Sequence, residues 1–169
     1  MTPAVAVADF ATLVREHQSM VFSVAWHYLR DRSLAEEVAQ DVFLQLHRNL
    51  GALESPDHVV NWLRKVAAYR SIDAARRRRM RPQVSLEDAP ELSVPASPGD
   101  PVRAARLRQL VASLPEKARM VVVLRFQEEM ALEEIADTMG IPVSTVKSQL
   151  QRALGMLREK ARRLLGEVR

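Results

Sequence analysis

The sequence contains no cysteine among its 169 residues, and it has few aromatic residues. Without thiols the chain forms no disulfide framework and no thiolate metal site, a composition typical of a reducing compartment. No apolar run approaches the ~20 residues that cross a bilayer. The short apolar stretch 4–8 lacks the basic flank of a signal peptide. We therefore expect a cytoplasmic protein with no membrane insertion.

Patterns typical of catalysis are missing as well. The four histidines are scattered, without the short paired spacing that a zinc site requires. No group of carboxylates resembles a hydrolase site. From these absences we predict that the protein is not an enzyme and that it has no catalytic residues, no metal and no cofactor.

Helical periodicity is what the sequence does contain. Apolar residues recur every three or four positions over 10–29, 34–50 and 57–79, which predicts three amphipathic helices. Ser33 is expected to cap the second helix and Gly51 to end it. No strand-like alternation is long enough to predict a sheet. An all-α fold follows.

Basic residues are concentrated in two regions, although the net charge is only +4. In 61–82 the acidic residue Asp73 stands among many basic ones, which include four consecutive arginines at 76–79. A second basic region covers 143–169. Concentrated positive fields suit a polyanion, so two of them suggest two contacts with nucleic acid.

A proline-rich acidic segment separates the two basic regions. After Arg81 it has no basic residue until position 103, and its prolines prevent a continuous helix. We predict a helical domain over 1–80, a flexible linker over 81–101 and a second small helical domain over 102–169.

The second domain has the pattern of a DNA-reading helix-turn-helix. Apolar residues at helical spacing in 132–139 precede Gly140, a candidate left-handed cap, and Pro142 lies where a new helix can begin. The apolar stripe of 146–157 is expected to turn inward. That orientation leaves facing outward the donor-rich residues Ser144, Thr145, Lys147, Ser148, Gln149 and Arg152.

Together these segments resemble a bacterial RNA polymerase sigma factor, in the extracytoplasmic-function (ECF) group of the sigma-70 family. The segments are AEEVAQDVFLQLHRNL, NWLRKVAAYRSIDAARRRR, the proline-rich gap and LPEKARMVVVLRF…EEIADTMGIPVSTVKSQLQRAL. The resemblance covers roughly 10–157. A helix-turn-helix alone is common, whereas these segments in this order are restrictive.

The resemblance implies a division of labour between the domains. The first, like sigma region 2, binds core RNA polymerase and melts the promoter's −10 element. Its expected polymerase-binding helix is polar and acidic with one apolar anchor, chemistry that suits a basic coiled coil. The matching residues are Glu37, Gln40, Asp41, Leu44 and Gln45.

The loop 53–58 and the helix after it are expected to hold −10 DNA as a single strand. Unstacked bases must be compensated by pocket contacts and a basic track. Tyr69 stands where the family often has asparagine, so stacking on a base is an alternative to hydrogen bonding. The matching residues are Asn61, Trp62, Lys65, Tyr69, Arg70, Asp73, Arg76 and Arg77.

The second domain, like sigma region 4, is expected to read the −35 element as duplex through the outward-facing residues given above. Gln149 replaces a frequent arginine, which favours adenine over guanine. Lys147 and Arg152 are expected to fix the phosphate register, with Arg119 and Arg125 as weaker phosphate contacts.

Two readings of the function stay open at the level of sequence. The first is a sigma factor that binds core RNA polymerase and promoter DNA and is held inactive by an anti-sigma factor. The alternative is a free-standing helix-turn-helix regulator whose N-terminal domain serves sensing or dimerisation. Pull-down of core polymerase separates the two.

Overall fold

The computed structural model describes residues 10–81 and 100–166. Every long element in these ranges is a helix, and no strand occurs in them, so the predicted all-α fold is confirmed. A short 3₁₀ turn, Leu50–Ala52, follows the second helix. The helices are α1 (Phe10–Leu29), α2 (Arg32–Asn49), α3 (Pro56–Met80), α4 (Pro101–Ala112), α5 (Glu116–Phe126), α6 (Leu132–Met139) and α7 (Val143–Gly166).

The start of α2 differs from the prediction. Asp31, and not Ser33, is the N-cap: its Oδ1 accepts a hydrogen bond from the backbone N–H of Leu34 at 3.0 Å. The Asp31 backbone is extended, as an N-cap requires. The predicted Ser33 cap was therefore wrong, and the helix begins two residues earlier.

The first three helices form a bundle around a shared apolar core. Ser55 caps α3, since its hydroxyl accepts the N–H of His58 at 3.1 Å, and a proline at the first helical position is compatible with a helix start. Val24 of α1, Val42 of α2 and Leu63 of α3 are fully buried. The bundle fixes which face of α2 and which face of α3 stay exposed.

The second group of helices, α4 to α7, contains the predicted helix-turn-helix. Gly140 adopts the left-handed conformation, with φ 64°, and the N–H of Ile141 bonds to the carbonyl of Ala136 at 3.1 Å. This closes α6 in the way that a glycine cap permits. The carbonyl of Pro142 then accepts the N–H of Val146 at 3.1 Å and begins α7.

Most of the predicted linker 81–101 lies outside the described residues. Its ends are described: Arg81 terminates α3 by donating to the carbonyl of Arg77, and Asp100 caps α4 by accepting the N–H of Val102 at 3.0 Å. No helix in the described ranges is both long enough and apolar enough to cross a membrane.

The two groups of helices pack against each other. α1 and α3 contact α5 and α6, and buried residues of both groups belong to one apolar cluster. Tyr28 and Ala75 of the first group and Met120 and Met139 of the second are members of this cluster. The helical periodicity of the sequence did not indicate this contact.

Candidate nucleic-acid and polymerase interfaces

The predicted polymerase-binding residues lie along one side of α2. Glu37, Gln40 and Leu44 are exposed, whereas Val38 and Val42 on the opposite side are buried. Leu44 is 57% exposed, so its apolar surface is available to a partner. Its side chain borders an open groove between α1 and α2. The helix therefore presents a polar and acidic strip with one apolar anchor.

The other two residues of that set contact α3. Asp41 Oδ2 lies 3.2 Å from Nε of Arg70, and the carboxamide of Gln45 lies against the same guanidinium. Glu37 and Arg77 line a small cavity with Asp41 and Arg70. The structure thus brings predicted polymerase-binding residues next to predicted −10 DNA-binding residues.

The eight predicted −10 residues all lie on α3, but their environments differ. Asn61, Lys65 and Arg77 are exposed. Trp62 is partly buried and packs against the core cluster, so its ring takes part in packing. Asp73 is partly buried and faces Arg76 at 4.0 Å.

Tyr69 is directed toward the second domain. Its hydroxyl donates a hydrogen bond to the backbone carbonyl of Met139 at 2.8 Å, beside the Gly140 turn of the helix-turn-helix. The residue as a whole remains 41% exposed. Base stacking by Tyr69 stays a prediction, and in this structure the hydroxyl serves the contact between domains.

Arg76 also contacts the second domain, where it binds the carboxylate of Glu116 at the start of α5. Its Nε and Nη2 donate to the two carboxylate oxygens of Glu116 at 2.7 and 2.6 Å, and Nη2 of Arg79 donates to one of them at 3.0 Å. The hydrogen bond from Arg76 holds the pKa of the Glu116 carboxyl below its ordinary value. A bidentate pair of this kind has a fixed, planar geometry.

A third group of contacts connects α1 with α5. The guanidinium of Arg119 lies over the ring of Tyr28, 4.1 Å from its centroid, and donates to the Tyr28 carbonyl. The hydroxyl of Tyr28 donates to the carbonyl of Glu116 at 3.3 Å, and Ser23 donates to Glu128 at 2.6 Å. The Arg119 side chain is therefore directed into the domain contact in this structure, and its phosphate contact stays a prediction.

Most predicted −35 residues form an exposed surface at the start of α7. Ser144, Lys147, Ser148 and Arg152 are exposed, and Thr145 is partly buried. Gln149 is also partly buried, and its Oε1 is buried without a hydrogen-bond partner. This amide is therefore less accessible than its helical position predicts. Arg125, the other weak candidate, donates to the carbonyl of Met130 at 2.9 Å.

Glu116, Tyr28, Ser23 and Glu128 were missed by the sequence analysis. Each is an ordinary polar residue at an ordinary helical or loop position. Glu116 and Arg76 are separated by 40 positions, and nothing in the sequence pattern pairs them. A carboxylate in the first turn of a helix is by itself explained by the helix dipole.

Comparison with known proteins gives matches over nearly the whole chain. Residues 13–81 match the family model of sigma-70 region 2, and residues 104–157 match that of sigma-70 region 4. The RNA polymerase sigma-H factor of Pseudomonas aeruginosa is 30% identical over 172 residues, which cover 94% of this chain and 89% of that protein. The ECF RNA polymerase sigma factor SigW of Bacillus subtilis is 27% identical over 168 residues, covering 92% and 90%.

A solved structure has the same fold. CnrH in complex with the cytosolic domain of CnrY superposes with a TM-score of 0.68 and 22% sequence identity, over 95% of this chain and 89% of that chain. The likeness covers both groups of helices.

Proposed function

Because the chain belongs to the sigma-70 family and to its ECF group, we propose that it binds core RNA polymerase and reads −10 DNA as a single strand and −35 DNA as a duplex. As a sigma factor it directs transcription initiation and is a DNA-binding protein, not an enzyme. In this proposal residues 1–80 form the region 2 domain, 81–101 the linker and 102–169 the region 4 domain.

Polymerase binding is assigned to α2. Glu37 and Gln40 supply exposed polar contacts, and Leu44 supplies an apolar anchor whose burial in a complex removes its surface from water. A carboxylate-rich helix is attracted to a basic partner before contact, which favours fast association. Asp41 and Gln45 extend this surface toward α3.

The −10 element is assigned to the exposed basic side of α3. Lys65, Arg70 and the arginines that end the helix provide a track for phosphates, and Tyr69 and Trp62 offer rings near that track. Stacking of an unpaired base on such a ring is worth about 1–3 kcal/mol. Melting without ATP requires compensation of this kind.

The −35 element is assigned to the start of α7. Short side chains such as Ser144 and Ser148 let a helix approach base edges, while Lys147 and Arg152 reach phosphates. Gln149 is the candidate for a base-edge contact, and a bidentate contact with adenine requires its buried Oε1 to turn outward.

We also propose an anti-sigma partner that holds the protein inactive. The support is the shared fold with CnrH, which was solved in complex with the cytosolic domain of CnrY. A factor that binds core polymerase works where the polymerase is, so the cytoplasm is the proposed place of action.

The match of 13–81 and 104–157 to the sigma-70 region 2 and region 4 models is the observation that carries the proposal, and the exposed strip on α2 supplies a surface for the polymerase. The experiment is run-off transcription from a cognate promoter, with purified protein and core polymerase. Transcription with the protein and none from core alone is expected. Tight operator binding without polymerase, together with no run-off product, would instead support the free-standing regulator.

A matched pair of variants tests the strip directly. We expect Leu44→Asp to weaken core-polymerase binding at least about tenfold, since it places a charge at the apolar anchor. Leu107→Asp on α4 is the control, because Leu107 is also 57% exposed but lies outside the strip. Affinity is measured by competition for fluorescently labelled core polymerase. Equal loss in both variants would contradict the assignment to α2.

A further inference from the structure

We propose that Glu116 is an internal competitor of −10 DNA, because its carboxylate occupies the arginines that would otherwise bind phosphate. The arrangement in which α5 and α6 contact α3, here called the closed form, therefore excludes the single strand. The inference rests on the proposed function of α3. It adds to that function a ligand within the same chain, which must be displaced before the −10 element is held.

The chemistry of the Glu116 contact is that of a phosphate contact. Two oxygens of one anion accept from the Nε and Nη2 of Arg76, and Arg79 donates to the same group. Arginine binds phosphate and carboxylate with the same planar fork of donors. A phosphate cannot take both donors of Arg76 while Glu116 holds them.

The exclusion is not confined to one residue. Near the middle of α3 the hydroxyl of Tyr69 donates to Met139, and further toward the start of the helix Nη1 of Arg64 lies 3.7 Å from Glu134. Residues 64 and 79 are separated by about 22 Å along a helix that rises 1.5 Å per residue. The second domain therefore covers α3 at three points over that length, two of them through carboxylates.

The ion-pair part of the contact is open to exchange with other anions. The Glu116 side chain is 20% exposed and that of Arg76 is 52% exposed, so the ion pair is screened by water and salt. The apolar part of the contact is continuous with the domain core. A ligand that binds only the open form shifts such an equilibrium by its difference in affinity for the two forms.

Interdomain distance is the measurement that tests the closed form. The chain has no cysteine, so Arg48→Cys on α2 and Arg158→Cys on α7, both exposed, give one donor and one acceptor dye in the full-length protein. Glu116→Gln is expected to lower the population with high energy transfer. Glu133→Gln is the matched control, since it removes the same charge from an exposed site on α6, and it is expected to leave that population unchanged.

Binding of single-stranded DNA tests the competition. The probe is a fluorescein-labelled DNA single strand of random sequence, and the assay contains no polymerase. We expect Glu116→Gln to bind about fivefold tighter than the unsubstituted protein, the scale of one or two partly exposed ion pairs. The strand is also expected to lower energy transfer in the unsubstituted protein. Equal gains in affinity for Glu116→Gln and Glu133→Gln would overturn the proposal, because charge alone would then explain them.

Two further measurements keep the test decisive. Tyr69→Phe removes the hydroxyl that donates to Met139 and is expected to lower energy transfer as well. Low energy transfer in the unsubstituted protein would overturn the closed form, and high energy transfer that is unchanged in both Tyr69→Phe and Glu116→Gln would overturn the role of these two polar contacts in holding it. Run-off transcription separates the two proposals. If the unsubstituted protein with core polymerase gives no product, the proposed function fails. If the unsubstituted protein supports transcription but Glu116→Gln and Tyr69→Phe both keep high energy transfer, only the proposed role of Glu116 fails.

Discussion

At the scale of single residues, Gln149 differs most from its expected environment. Its side-chain oxygen is buried without a partner, whereas neighbouring Lys147 and Ser148 are exposed. Helical spacing placed the residue among the outward-facing side chains of α7, whereas the structure has it partly buried. Spacing does not resolve whether a side chain at the edge of that face bends inward, because this depends on the packing of α6 and α7.

Lys147 and Gln149 are predicted to contribute differently to −35 recognition. Lys147→Ala should weaken binding of duplex DNA by a similar factor for every sequence and reduce the slope of the salt dependence by about 1, since it removes one phosphate contact. Gln149→Ala should flatten base preference at one position. A binding selection over randomised duplexes measures both. The reverse pattern would contradict the assignment.

At the scale of elements, helix positions were largely predictable, and the start of α2 was the exception. α1 spans the predicted residues 10–29 because its apolar spacing is regular throughout. For α2, Asp31 and Ser33 both carry a side-chain oxygen that suits an N-cap, and the extended backbone at Asp31 decides between them. The Gly140 turn was predictable because a left-handed residue between two short helices favours glycine.

Two glycine substitutions are predicted to change stability in opposite directions. Gly140→Ala should lower the free energy of unfolding by about 1–2 kcal/mol, because φ is +64° and an alanine there is strained. Gly155→Ala should raise it by about 0.5–1 kcal/mol, since the residue lies inside α7 and an added methyl meets open space. Urea unfolding followed by circular dichroism measures both values. A stabilising Gly140→Ala would show that the left-handed turn is not maintained in solution.

At the scale of the whole molecule, the sequence predicted two helical domains but not their contact. The order of the segments is encoded in charge and periodicity, which are local. The contact depends on pairs such as Glu116 with Arg76 and Ser23 with Glu128, which are 40 and 105 positions apart and use common residue types. Many other carboxylates and arginines in this chain would satisfy the same rule of charge pairing, so one sequence does not select the right pair.

The contact between the two domains is predicted to weaken in acid over a defined pH range. The pKa of Glu116 is lowered in the closed form, so the closed form binds fewer protons and its ion pair is complete above the ordinary glutamate pKa of 4.5. Its contribution is lost as pH falls through the lowered value, while Arg76 stays protonated. Energy transfer between the domain labels should therefore decrease below about pH 4.5, and Glu116→Gln should remove this step.

Protonation of His27 acts in a second, higher pH range. This difference in pH distinguishes His27 from Glu116 as the group whose protonation opens the domain contact. His27 faces a cavity of about 90 Å³ among α1, α4 and α5, its Nδ1 is buried without a partner, and burial lowers its pKa. The neutral ring is therefore favoured in the folded protein, and this contribution is complete above pH 6.5 and lost as pH falls through the lowered value. Opening that begins as the pH falls below 6.5 and disappears in His27→Gln would assign the transition to the histidine. Opening that begins only below about pH 4.5 and disappears in Glu116→Gln would assign it to the carboxylate that holds the arginines of α3.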